Sequence, residues 1–77
     1  MKMGLLIDIL DNVAVVTTDI REGERIKVEE NIIIAKQSIP VGHKIAIKNI
    51  DKNQHIYKYG VPIGLTKANI SKGEYIH

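Results

Sequence analysis

The chain is 77 residues long, carries a formal net charge of +2 and contains no cysteine. Such a length supports one domain, whose marginal core buries only about 60% of the surface its unfolded chain exposes. The missing thiols exclude a disulfide framework and a thiolate metal site, and no stretch approaches the ~20 apolar residues of a membrane-spanning helix. Leu5-Leu6-Ile7, ended by Asp8, is too short for a signal-peptide core, so a soluble, cytoplasmic domain is expected. A small domain without covalent staples also tends to lean on a partner for further burial.

Charge is unevenly spread. Residues 1–30 carry four Lys/Arg against seven Asp/Glu, whereas residues 31–77 carry seven Lys against two acids. The cationic half suits an anion, whether carboxylate or phosphate. It contains Tyr57, Tyr59 and Tyr75 but no arginine, the commoner reader of bases and phosphates, so nucleic acid is not expected. In the acidic half Glu22, Glu24, Glu29 and Glu30 read as solvated strand edges.

Fifteen isoleucines and six valines supply most of the apolar side chains, a β-branched set that fits a pleated surface better than a helix. Along the chain, Val13-Ala14-Val15 alternates as a strand does. The segment Ile20 to Ile26, IREGERI, then reads as a turn between two core isoleucines. Asn31-Ile32-Ile33-Ile34-Ala35 is a continuous apolar run and reads as a strand buried on both faces. A second turn segment, IPVGHKI, spans Ile39 to Ile45, and alternation continues through Lys44-Ile45-Ala46-Ile47-Lys48. IDKNQHI, from Ile50 to Ile56, leads into alternation around Ile56-Tyr57-Lys58-Tyr59, and ISKGEYI closes the series from Ile70 to Ile76.

All four segments read Ile, two residues, Gly or Asn, two residues, Ile. The Gly/Asn position suits the positive φ of a tight turn. The first and third start 30 residues apart and the second and fourth 31 apart, which predicts a duplicated half and approximate two-fold symmetry. No helical periodicity competes. The prediction is an all-β domain of short strands with a turn at each segment.

Catalytic constellations are few. His43, His55 and His77 share no metal-ligand spacing, and there is no Gly-rich phosphate loop. Two stretches stand out. In Gly42-His43-Lys44 a turn exposes a switchable proton donor beside a fixed cation, at a position where the other segments carry Glu24, Gln54 and Glu74. Adjacent strand residues point to opposite faces, so this pair acts together only if the turn persists through it. In Lys58-Tyr59-Gly60-Val61-Pro62-Ile63-Gly64 two glycines around a proline specify an unusual backbone path that another backbone or a ligand can approach closely.

Asp11-Asn12-Val13-Ala14-Val15, Ile39-Pro40-x-Gly42-His43-Lys44-x-Ala46, Lys58-Tyr59-Gly60-x-Pro62-Ile63-Gly64 and Gly73-Glu74-x-x-His77 form an ordered series. From about residue 11 to residue 77 that series resembles the N-terminal domain of the altronate/galactarate dehydratase family, a SAF-type domain of β-clip fold. The resemblance implies loss of water from a polyhydroxy carboxylate to give a 2-keto-3-deoxy acid. It also implies a large catalytic partner subunit that completes the site. The small subunit of sulfolactate sulfo-lyase is similar in the same motifs, and a non-catalytic module for a sugar acid or other anion is the further alternative.

On this reading His43 is the catalytic residue. Lys44, Lys58, Tyr59, Gly60, Gly64 and His77 bind the substrate. The enediolate formed next to the carboxylate needs a metal or several cations. The family resemblance implies that this metal is ferrous iron or another divalent ion, held mainly by the large subunit, with His77 the one candidate ligand on this chain. Two departures from the family pattern stand out. Ile9 and Leu10 occupy the place of a His-Pro pair, and the sequence stops at His77, where relatives run on into His-x-His-Asn.

Overall fold

The computed structural model describes residues 1–6 and 10–76. Among these there is no helix, and eight strands form in chain order: β1 (Lys2–Leu5), β2 (Val13–Val16), β3 (Arg25–Val28), β4 (Asn31–Ile34), β5 (Lys44–Ala46), β6 (His55–Lys58), β7 (Val61–Leu65) and β8 (Tyr75–Ile76). Six join in one sheet, in the order β4-β3-β1-β2-β5-β8, and β6 and β7 make a separate two-stranded ribbon. The pairings are antiparallel except for β1 with β3, which run parallel. The all-β expectation holds.

The four isoleucine segments organise this topology as their spacing predicts. Their central positions all have positive φ: Gly23 at 87°, Gly42 at 82°, Asn53 at 66° and Gly73 at 95°. The first isoleucines pair by two reciprocal backbone bonds each, Ile20 with Ile39 and Ile50 with Ile70. Each turn then delivers the chain into a strand, β3, β5, β6 or β8. The bonds repeat, with the partner one residue further along in the second half: Gly23 N–H donates to Ala35 C=O and Ala35 N–H to Glu24 C=O, as Asn53 N–H does to Thr66 C=O and Thr66 N–H to Gln54 C=O. Asp19 Oδ1 accepts from Val41 N–H as Asn49 Oδ1 accepts from Lys72 N–H. The duplication is built into the hydrogen bonding.

Two local readings need correction. The run at Asn31–Ile34 is not buried on both faces: Ile33 is 1% exposed, but Ile32 and Ile34 are 50% and 58% exposed. β4 lies at the edge of the sheet, and like its neighbour β3 it meets the core on one face only. The strands covered on both faces are β2 and β5. Ala14 and Ile45 face the main cluster with Val16, Ile26, Val28 and Ile33, while Val13 and Ala46 face a second cluster with Ile50 and Ile76. Alternation through Lys48 also overruns the strand. β5 ends at Ala46, and Ile47 N–H turns to the carbonyl of Asn12.

Candidate functional site

The position after each turn glycine or asparagine carries different chemistry in each copy. Glu24 folds back on its own turn, its Oε1 accepting from Arg21 N–H at 2.6 Å, and Glu74 Oε1 accepts likewise from Ser71 N–H at 3.0 Å. These are structural carboxylates. They satisfy a backbone donor that the turn leaves over. Lys2 Nζ also reaches Glu24, at 3.0 Å. The Glu24 carboxyl is held below its ordinary value, first by the Arg21 N–H and then by the Lys2 ammonium.

His43 does something else. Its backbone is fixed on both sides, the N–H donating to Pro40 C=O at 3.1 Å and the C=O accepting from Val16 N–H at 2.9 Å. Its ring leaves the turn and meets the phenol of Tyr75, with Nδ1 and Oη 2.6 Å apart and the rings edge-to-face at 5.5 Å. Tyr75 stands opposite Ile45 in the β5–β8 ladder and packs on the main core cluster, so a buried surface places the phenol. Beside the pair, Asp19, Ser38, Ile39 and Pro40 line a shallow groove that Tyr75 walls on one side. Tyr75 was not singled out from sequence as a site residue, because its distance of 32 residues from His43 hides the contact.

Lys44 does not share this surface. The turn ends at Gly42, and Lys44 is already paired in β5 with Val15 and Ile76. Strand alternation puts His43, Ile45 and Tyr75 on one face and Lys44, Val15 and Ile76 on the other. The expected His–Lys pair is split by the pleat.

The second stretch folds as the β6–β7 hairpin. Tyr59 and Gly60 at its tip both have positive φ, 57° and 73°, the backbone of a tight two-residue connection. Asp11, 2% exposed, holds that tip: Oδ2 accepts from Tyr59 N–H at 3.0 Å and Oδ1 from Gly60 N–H at 2.7 Å. Asn12 clamps the strand behind it, donating from Nδ2 to His55 C=O at 2.9 Å and accepting at Oδ1 from Tyr57 N–H at 2.8 Å. The amides of Tyr59 and Gly60 thus serve Asp11 rather than a bound anion. Their side of the hairpin offers Lys58, whose Nζ lies 5.0 Å from the centre of the exposed Tyr59 ring. Gly64 follows a bulge at Ile56/Tyr57, and a side chain there would meet no atom of this chain within 4 Å.

The predicted residues therefore fall on separate surfaces. His43 adjoins Val16 at one end of β2, and the hairpin is tied to Asp11 and Asn12 at the other, roughly 13 Å away at strand spacing. His77 lies outside the described residues. His55 enters a cleft of about 350 Å³ lined by Leu10, Asn12, Lys48, Asp51, Gln54 and Tyr57, among others, with its ring tilted against Tyr57 at 5.9 Å. Among the described residues no three His, Cys, Asp or Glu side chains gather, so a divalent metal finds no adequate donor set there. Nor is any helix among them long and apolar enough to cross a membrane.

Comparison with known proteins covers nearly the whole chain. The altronate/galactarate dehydratase SAF domain matches residues 2–77. The altronate dehydratase of Bacillus subtilis (strain 168) is 44% identical over 77 residues, which is 100% of this chain and 16% of that protein. That of Escherichia coli (strain K12) is 40% identical over 68 residues, 88% of this chain and 14% of the relative. The (2R)-sulfolactate sulfo-lyase subunit alpha of Chromohalobacter salexigens is 40% identical over 42 residues, 54% of this chain and 45% of that subunit. The chain thus spans about one-seventh of the altronate dehydratases it matches, and it belongs to the altronate/galactarate dehydratase SAF domain family.

Proposed function

We propose that this domain is the small component of a sugar-acid dehydratase and presents His43 to a substrate held by a larger catalytic region. The observation that carries this reading is the share of length. The whole chain corresponds to 16% of an altronate dehydratase, so most of the relative's substance lies outside the stretch this domain represents. Of the four equivalent turn positions, His43 alone carries an imidazole, and it bonds no backbone group of its own turn through that ring.

In this role the catalytic region takes the proton next to the carboxylate. His43, as imidazolium, gives a proton to the departing hydroxyl. The C–O bond breaks, water leaves, and the electron pair of the broken C–H bond forms the new C=C bond. Ferrous iron or another divalent metal would stabilise the enediolate, but no step is assigned to a metal on this chain, whose described residues do not gather ligands for one. The Lys58–Tyr59 hairpin and the open position at Gly64 suit contact with the catalytic region rather than the reacting atoms.

The test pairs this domain with the catalytic region and assays altronate, galactarate and sulfolactate with ferrous iron. His43→Ala should fold normally and lower turnover by about 10²–10⁴-fold, the usual value of general acid–base help. Lys44→Ala, on the strand face opposite His43, should change kcat and KM little. Near-normal turnover by a folded His43→Ala assembly would overturn the role of His43, and robust turnover by the 77-residue chain alone would overturn the division of labour. A second reading, with sulfolactate as substrate, has its support in the likeness to subunit alpha of the sulfo-lyase, and the same substrate panel decides it.

A further inference from the structure

We propose that Tyr75 is a positioning residue for His43: its hydroxyl holds Nδ1 and makes Nε2 the atom that meets a ligand. The proposal rests on the reading of His43 just given, but its first test does not require activity. The geometry is a 2.6 Å contact between Oη and Nδ1, with both partners anchored from behind. His43 is pinned through Pro40 and Val16, and Tyr75 through its N–H to Gln37 Oε1 at 2.9 Å and through its packing on the core. His43 and Tyr75 are diagonal neighbours around the Ile45–Tyr75 pair, a spacing that aromatic rings can bridge.

Chemistry selects the direction of the bond. A phenol is a far better donor than a neutral imidazole N–H, and the bare ring nitrogen is the better acceptor. In the neutral pair Tyr75 therefore donates to Nδ1, and the imidazole proton resides on Nε2. In the imidazolium the same oxygen accepts from Nδ1–H. Nε2 carries a proton in both resting states, so His43 meets its ligand there as a donor rather than as a base; once the imidazolium has given up that proton, the ring keeps the one on Nδ1, held by the Tyr75 oxygen. That matches a carboxylate or a departing hydroxyl, both acceptors. A carboxylate in place of the phenol would instead accept from Nδ1–H and leave Nε2 bare in the neutral ring.

Nitrogen-15 NMR of the 77-residue chain, above the range where its histidines are protonated, reads the tautomer of His43 directly. The Nε2–H form should dominate, and Tyr75→Phe, which keeps the ring and its packing, should restore a mixture. A dominant Nδ1–H form, or a tautomer balance unmoved by Tyr75→Phe, overturns the assignment. In the assembled enzyme Tyr75→Phe should lower kcat about three- to tenfold with KM little changed, the scale of one hydrogen bond. An altered tautomer with unchanged kcat would refute the positioning role. If the assembly has no dehydratase activity with any substrate, the reading of the function fails while the spectral test still decides the pair.

Discussion

The two halves of this domain share a plan and use it differently. In the first, the Ile20 turn leads into the β3–β4 hairpin, and β3 also pairs with β1, so the hairpin becomes one wing of the six-stranded sheet. Ile26, Val28 and Ile33 are at most 1% exposed as a result. In the second, the Ile50 turn leads into β6–β7, which has no third strand among the described residues. Val61, Ile63 and Leu65 are 56%, 50% and 56% exposed, and the ribbon is held through Asp11 and Asn12. A lone two-stranded hairpin is marginal in water. One copy of the duplicated unit has been kept as core, and the other is moored by polar side chains with its apolar surface facing outward.

The largest expected effect separates equivalent isoleucines. Ile26 and Ile56 end the matching segments, but Ile26 is fully buried and Ile56 only partly packed on the second cluster. Ile26→Ala should cost about 2–5 kcal/mol, enough to unfold much of a domain this small. Ile56→Ala should cost less than half as much. Denaturant titration of the two variants measures the difference, and equal losses would contradict the division into core and moored halves.

A smaller effect tests the mooring itself. Asp11→Ala leaves the amides of Tyr59 and Gly60 without their carboxylate, at a cost of about 1–3 kcal/mol. The loss should be local. Hydrogen exchange should accelerate across residues 55–65 while the amides of β3 keep their protection. Uniform acceleration throughout the chain would show that the hairpin is not a separable unit.

The smallest effect is a titration. Glu24 is stabilised as the carboxylate by Arg21 N–H and Lys2, so its folded-state pKa lies below the ordinary 4.5. Its contribution to stability is present above that ordinary value and is lost as pH falls through the lower folded value. The Arg21 amide resonance should shift with a midpoint below 4.5, and Glu24→Gln should abolish the shift. At the matching place in the second half, Gln54 has no carboxyl to titrate. A midpoint at or above 4.5 would mean that the turn does not favour the charged form.

What the amino-acid sequence determined by itself is the local grammar. Gly23, Gly42, Asn53 and Gly73 occupy positive φ because these residues tolerate it. Their flanking isoleucines and regular spacing predict the turns, the strands that follow and the duplication. What only the tertiary structure decided is everything that depends on which strand lies beside which. Asn31–Ile34 reads as doubly buried but meets the core on one face only, whereas β2 and β5 are covered on both faces because one core cluster packs on each side of them. Periodicity reports a strand's own faces, not the number of layers around it. Asp11 finds its partners 48 and 49 residues away, and His43 finds Tyr75 after 32. Such contacts exist only once the chain has closed on itself, because no local pattern encodes a hydrogen bond between distant segments. The pleat settles the rest: it turns Lys44 away from His43 and gives Tyr75 the place beside it.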